Sequence, residues 1–134
     1  MRNLLVLFGI STLAAVAMGE PVDTSKLPPV ATKQGVTYAS DIKAILDKSC
    51  IKCHGAEKPK AKLRLDSLEG VLKGSADGKI LEAGNSAKSA IVHSVGHLGD
   101  EDHWMPPPKN KAKIGPLTAE QIGLIRAWID QGAK

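Results

Sequence analysis

The sequence predicts an all-α domain, and three observations carry that prediction. Apolar residues recur at helical spacing in the first and last ordered segments. Capping residues and glycine stops bracket the pieces between them. No segment alternates apolar and polar residues as a half-buried strand would. At 134 residues the chain suits one domain rather than two.

Residues 1–19 stand apart from that domain. Arg2 precedes an apolar run over 4–16, broken only by Gly9, Ser11 and Thr12, and Ala15-Val16-Ala17 and Ala17-Met18-Gly19 both fit a small-x-small cleavage site. This is the pattern of a secretory signal peptide, too short for a comfortable membrane span. It predicts export, with cleavage after Ala17 or Gly19 and no stable membrane anchor afterwards. No cysteine lies nearby to take a lipid. Residues 20–36 hold Pro21, Pro28 and Pro29 and no regular period, and read as a flexible leader. The domain itself is placed at 37–134.

Within it, Tyr38, Ile42, Ile45 and Leu46 share one helical face, with Thr37 or Ser40 as the cap. That helix runs into a segment with two cysteines, loosened by Gly55 and Pro59. Asp66 to Glu69 reads as a capping box for a short helix carrying Leu68, Val71 and Leu72 and stopped by Gly74. Asn85 or Ser86 caps a third helix through Ile91, Val92 and Val95 to Gly96. Residues 99–116, with Pro106, Pro107, Pro108 and Pro116, read as loop. Thr118 and Gln121 form a second capping box. It opens a final helix whose Ile122, Ile125 and Ile129 make a stripe, broadened by Leu124 and Trp128 and ended at Gly132.

Both cysteines of the chain fall in one pentapeptide, Cys50-Ile51-Lys52-Cys53-His54. An exported protein meets an oxidising compartment, where paired cysteines usually form a disulfide. A bridge across so short a loop constrains the unfolded chain little, so these cysteines are there for chemistry. The pattern C-x-x-C-H is the attachment site of c-type haem. Its two thiols, three positions apart, add to the two vinyl groups on one porphyrin edge, and the next residue brings an imidazole to the iron. One haem c per chain, covalently held, is the expectation.

A second axial ligand is then needed, and a thioether is the usual partner of histidine. Met105 is the only methionine beyond the signal segment, and Pro106, Pro107 and Pro108 stiffen the chain behind it. His93, His97 and His103 are the competitors, with His103 the nearest in sequence. Arg64 is a candidate partner for a haem propionate, Trp104 a candidate neighbour of the ring, and Trp128 a core residue.

At this point the sequence resembles the small class I cytochromes c, and within them the planctomycete-type cytochrome c domain. The resemblance spans nearly all of residues 37–133. It rests on IKAIL, CIKCHG, KLRLDSLEGVLKG, GNSAKSAIVHSV, MPP and LTAEQIGLIRAWIDQGA together. It implies three to five helices wrapped around one haem, with thioether bonds from Cys50 and Cys53. It also implies His54 as proximal and Met105 as distal ligand, and terminal helices that cross over one haem edge. Ala83 stands where such domains often have proline before Gly84.

Two other readings of the cysteines are weaker. A zinc site from Cys50, Cys53, His93 and His97 has a span between its halves far longer than the roughly 12 residues of a compact finger. A thiol–disulfide oxidoreductase needs a βαβ frame around its C-x-x-C, and here a helix precedes the cysteines.

The expected work is electron transfer between a redox donor and an acceptor outside the cytoplasm, without catalysis. The alternative is a haem-bearing subunit docked permanently on a larger redox enzyme, which co-purification at fixed stoichiometry would reveal. The formal charge of +4 loses one unit with Arg2, too modest for nucleic-acid binding. Lys48, Lys52, Lys58, Lys60, Lys62 and Arg64 crowd the attachment segment, and Lys109, Lys111 and Lys113 follow the methionine loop. Together they are the candidate basic rim for an acidic redox partner.

Overall fold

In the computed structural model, which describes residues 21–134, the chain turns helical at Tyr38. The expected signal peptide lies outside the described residues. Thr37 is extended, and its hydroxyl accepts the Ser40 amide at 3.2 Å. The Asp41 carboxylate accepts the Thr37 amide at 3.1 Å. One wide π-type turn, Tyr38–Ile42, leads into α1 (Lys43–Ser49). Cys50 breaks the helical path, and α2 (Ile51–His54) follows after it.

Helix α3 (Leu68–Lys73) is capped by the Ser67 hydroxyl, which accepts the Gly70 amide at 3.1 Å, and it ends at Gly74 with φ 88°. The capping box expected from Asp66 and Glu69 does not form. Asp66 is taken by Arg64 through two bonds of 3.0 and 2.7 Å, so the cap moves one residue on.

The third expected helix is split. Asn85 caps only a 3-10 turn, Ser86–Lys88, and α4 (Ala90–Val95) begins beyond an extended Ser89. Ser89 is fully buried; its hydroxyl donates to Asn85 O at 2.9 Å and accepts the Glu82 amide at 2.9 Å. Those bonds hold Ser89 away from helical geometry. Helix α5 (Ala119–Asp130) carries the expected capping box in both directions: Gln121 N–H to Thr118 Oγ1 at 3.2 Å, and Thr118 N–H to Gln121 Oε1 at 2.9 Å.

Among the described residues there are five α-helices and no strand, one bridge pairing Ser75 with Gly78. No helix among them is long and apolar enough to cross a membrane. The core gathers Ile42 and Leu46 of the first helical segment, Val71, Val92, and Ile125, Trp128 and Ile129 of α5, all essentially inaccessible to solvent. The start of the first helical segment meets the C-terminal residues there. The Tyr38 and Trp128 rings lie 6.2 Å apart at 50°, within the tilted range favoured by aromatic pairs. Tyr38 N–H and Trp128 Nε1–H both donate to the main-chain oxygen of Lys134, at 2.7 and 2.9 Å.

Residues expected to form a flexible leader are instead laid along α5 and the end of α4. Ala31 N–H donates to Gly123 O at 3.0 Å, Gln131 Nε2–H to Lys33 O at 2.8 Å, and Arg126 to Pro28 O. Val36 is buried, and Leu27 and Ala31 pack on the core. Beyond a 3-10 turn at Thr24–Lys26, the prolines that hide any helical period leave the segment extended. An extended segment can follow a helix surface and find partners there.

Candidate functional site

The attachment segment is a single helical turn set off from the helix before it. Cys50 has φ −127° and ψ −38°, which turns α2 away from α1. Cys53 and His54 both donate their amides to Cys50 O, at 3.1 and 3.0 Å. The two thiols thus stand one turn apart on a fixed unit, and both are free, not joined as a disulfide. Burial, with Cys53 adding to it, pushes the Cys50 thiol up to about 11. A redox-active C-x-x-C needs a thiol shifted the other way, so the structure speaks against that use.

His54 is held by the loop that follows. At Gly55 a Cβ would come within 2.6 Å of Ile51 O, so only glycine lets the chain leave α2 this tightly. The loop then curls through three non-glycine residues in the left-handed region, Lys58, Ala61 and Lys62. This curl returns the Lys60 and Leu63 carbonyls to the imidazole. Nδ1 of His54 lies 3.2 Å from each. Carbonyls only accept, so Nδ1 carries the proton, and in the neutral ring Nε2 keeps a free lone pair. Leu65 N–H donates back to His54 O at 2.8 Å. Burial, opposed by these carbonyls, lowers the tendency of His54 to take a second proton.

This donor set fits a covalently held haem: two free thiols one turn apart, and beside them an imidazole whose outer nitrogen is oriented and available. Among the described residues, no three His, Cys, Asp or Glu side chains gather into a metal-holding cluster. The zinc alternative therefore has no site.

Met105 is half-buried, and its amide donates to Ser94 O of α4 at 2.9 Å, which ties the proline loop to that helix. Of the three competing histidines, His103 is exposed and His93 Nε2 pairs with Ala87 O at 2.6 Å. His97 stacks on Trp104 with ring centroids 5.0 Å apart. Arg64, considered for a propionate, is engaged by Asp66. No residue pattern pointed to the Lys60 and Leu63 carbonyls or to the His97–Trp104 stack. Backbone acceptors have no residue type, and the stack joins two loop residues outside any helical period.

A family model described as Planctomycete cytochrome C matches residues 50–109, from the first cysteine to just past Met105. The matched segment is similar to a planctomycete-type cytochrome c domain. No curated protein and no solved structure matches the chain. The matched segment takes in α2, α3, α4 and the methionine loop. The similarity suggests covalently bound haem c and haem-based electron transfer.

Proposed function

We propose that this protein is a single-haem electron carrier working outside the cytoplasm, with His54 and Met105 as axial ligands of the iron. The observation that carries the reading is the state of His54. Its Nδ1–H is committed to two backbone carbonyls, and Nε2 is left as the one unprotonated donor beside the two thiols. When bound, haem supplies one-electron exchange at iron, and a methionine partner favours the reduced state relative to a second histidine.

The chain's own residues do the positioning. Cys50 and Cys53 would hold the cofactor through two thioether bonds. The Lys60 and Leu63 carbonyls set the tautomer and direction of His54 and raise its basicity. Ser94 O and the run Pro106, Pro107, Pro108 restrict where the Met105 thioether can go. With two protein ligands in place, no position is left for a substrate, which favours a carrier over a catalyst.

Lys48, Lys52, Lys58, Lys60, Lys62, Lys109, Lys111 and Lys113 are all exposed, and none is in an ion pair among the described residues. Such a set would steer an acidic donor or acceptor protein and make its association rate fall with salt.

A pyridine haemochrome spectrum tests the central claim, taken after acid–acetone extraction of protein exported alongside a cytochrome c maturation system. Haem that stays with the chain and shows the c-type reduced band supports thioether attachment. A colourless chain, or haem that extracts, overturns it.

A further inference from the structure

The turn between α4 and the methionine loop is held in a conformation its own residues disfavour. His97 lies in the left-handed region at φ 51°, and Gly99 follows there at φ 69°. A residue with a Cβ stays in that region only where its surroundings fix it. Within the turn, Leu98 N–H donates to His93 O at 2.9 Å. Further cover comes from far away in sequence.

That cover is the segment before Tyr38. A Cβ at Gly96 would stand 2.8 Å from Leu27 Cδ2, so the Leu27 side chain rests directly on the bare glycine that ends α4. Earlier in the same segment, Val22 Cγ2 would lie 3.6 Å from a Cβ at Gly99. The segment is moored to α5 by Ala31 N–H to Gly123 O at 3.0 Å, Gln131 Nε2–H to Lys33 O at 2.8 Å, and Arg126 to Pro28 O. One part of it is thus tied to a helix fixed by the core, and the other sits on Gly96 and Gly99.

What this turn carries is Met105. Ser94 O of α4 accepts the Met105 amide at 2.9 Å. Between Gly99 and Met105 the chain makes one 3-10 turn, Glu101–His103, capped by Asp100 and closed by Trp104 N–H on Glu101 O at 3.0 Å. So short and internally bonded a link passes a shift of the turn on to Met105 with little slack.

We infer that the segment before Tyr38 is a clasp on the methionine loop, with Leu27 and Val22 as positioning residues for Met105. The inference rests on the axial-ligand reading above. Loosening the clasp raises the fraction of molecules whose thioether is off the iron, and an added ligand binds that fraction alone.

The test uses ferric holoprotein, in which a thioether on the iron gives a weak far-red sulfur-to-iron band, and imidazole as the competing ligand. Wild type is expected to show the band and to lose it as imidazole is added. Leu27→Ala, which empties the space over Gly96, is expected to take imidazole about tenfold more tightly. Leu27→Met, which refills that space, is expected to return the affinity toward wild type. Tyr38→Phe controls for lost stability alone, because its missing bond to Leu65 O touches neither Gly96 nor Gly99. Its imidazole affinity is expected to equal wild type. Equal affinity in Leu27→Ala and wild type overturns the inference and leaves Met105 as the ligand. Tightening in Tyr38→Phe as large as in Leu27→Ala overturns it too, since any loss of stability would then suffice. A wild-type holoprotein without the band overturns the axial reading and the inference together. Should Leu27→Ala fail to fold, Val22→Ala decides by the same comparison.

Discussion

Nδ1 of His54 lies 3.2 Å from the carbonyl oxygen of Leu63, nine residues on, and equally close to that of Lys60. The turn that allows this begins at Gly55, where an added Cβ would meet Ile51 O at 2.6 Å. The neighbour is backbone and cannot give way cheaply. Gly55→Ala is therefore expected to cost the holoprotein about 1–3 kcal/mol in urea unfolding, as overpacking does. The same change should lengthen the Nδ1 bonds, make the imidazole a weaker donor and raise the reduction potential. An unchanged potential at reduced stability would show that the two carbonyls only brace the loop.

Removing the thioether is the sharpest probe of the second ligand. Met105→Ala is expected to change the ferric absorption spectrum and lower the potential by on the order of 100 mV, a fraction of the roughly 0.8 V that axial ligands span. Met105→His should restore a six-coordinate spectrum at a potential still below wild type. A Met105→Ala protein with wild-type spectrum and potential would remove Met105 from the iron. His97, with a buried and unpartnered Nε2, would then be the first residue to substitute.

Much of this arrangement was legible in residue order, because the relevant signals are local. The Thr118–Gln121 box, the Thr37 cap and the stripe of Ile122, Ile125 and Ile129 sit where spacing places them. Local signals fail where a distant group competes. Arg64 takes Asp66 from its capping role, and the hydrogen bonds of buried Ser89 break a run that periodicity reads as one helix. The segment before Tyr38 looks structureless by composition, since its order comes from α5, far away in sequence. At the site, Cys50, Cys53 and His54 announce themselves by type. The carbonyls that orient His54 do not.

The contact between the first helical segment and α5 is testable by core truncation. Trp128 is fully buried and meets Tyr38 at 6.2 Å, so Trp128→Ala should cost about 3–5 kcal/mol. Tyr38→Phe keeps the ring and loses only the bond from Tyr38 Oη to Leu65 O, 3.0 Å long. Its cost should be about 1 kcal/mol. Urea unfolding of the holoproteins measures both, and equal losses would mean that the hydroxyl, not the ring packing, holds this contact.

Asp41 predicts the acid behaviour of the N-terminal junction. Hydrogen bonding from Lys33, and then from the Thr37 amide, holds its carboxyl below the usual 3.8. The folded state thus binds fewer protons than the unfolded chain in the window just below that value. The stabilisation is full above pH 3.8 and lost as pH falls through the lower folded-state value. Asp41→Asn should be less stable than wild type at neutral pH and show a shallower loss between about pH 4 and 2. Parallel acid limbs for the two proteins would assign the pH dependence to other carboxylates.

Gly123 decides whether the segment before Tyr38 is part of the fold. In an exposed helix interior, glycine to alanine gains roughly 1 kcal/mol. Here the sign should reverse. A Cβ at Gly123 would stand 2.7 Å from Pro29 O, and Gly123 O is the acceptor for Ala31 N–H at 3.0 Å. Helix α5 is fixed by the core through Ile122, Ile125 and Trp128, so the extended segment is the side that must move. Gly123→Ala is expected to raise hydrogen exchange at the Ala31 amide by at least tenfold and to open the neighbourhood of Lys33 to trypsin. The haemochrome spectrum should be unaffected. Protection equal to wild type would mean that Arg126 to Pro28 O and Gln131 to Lys33 O hold the segment without this contact.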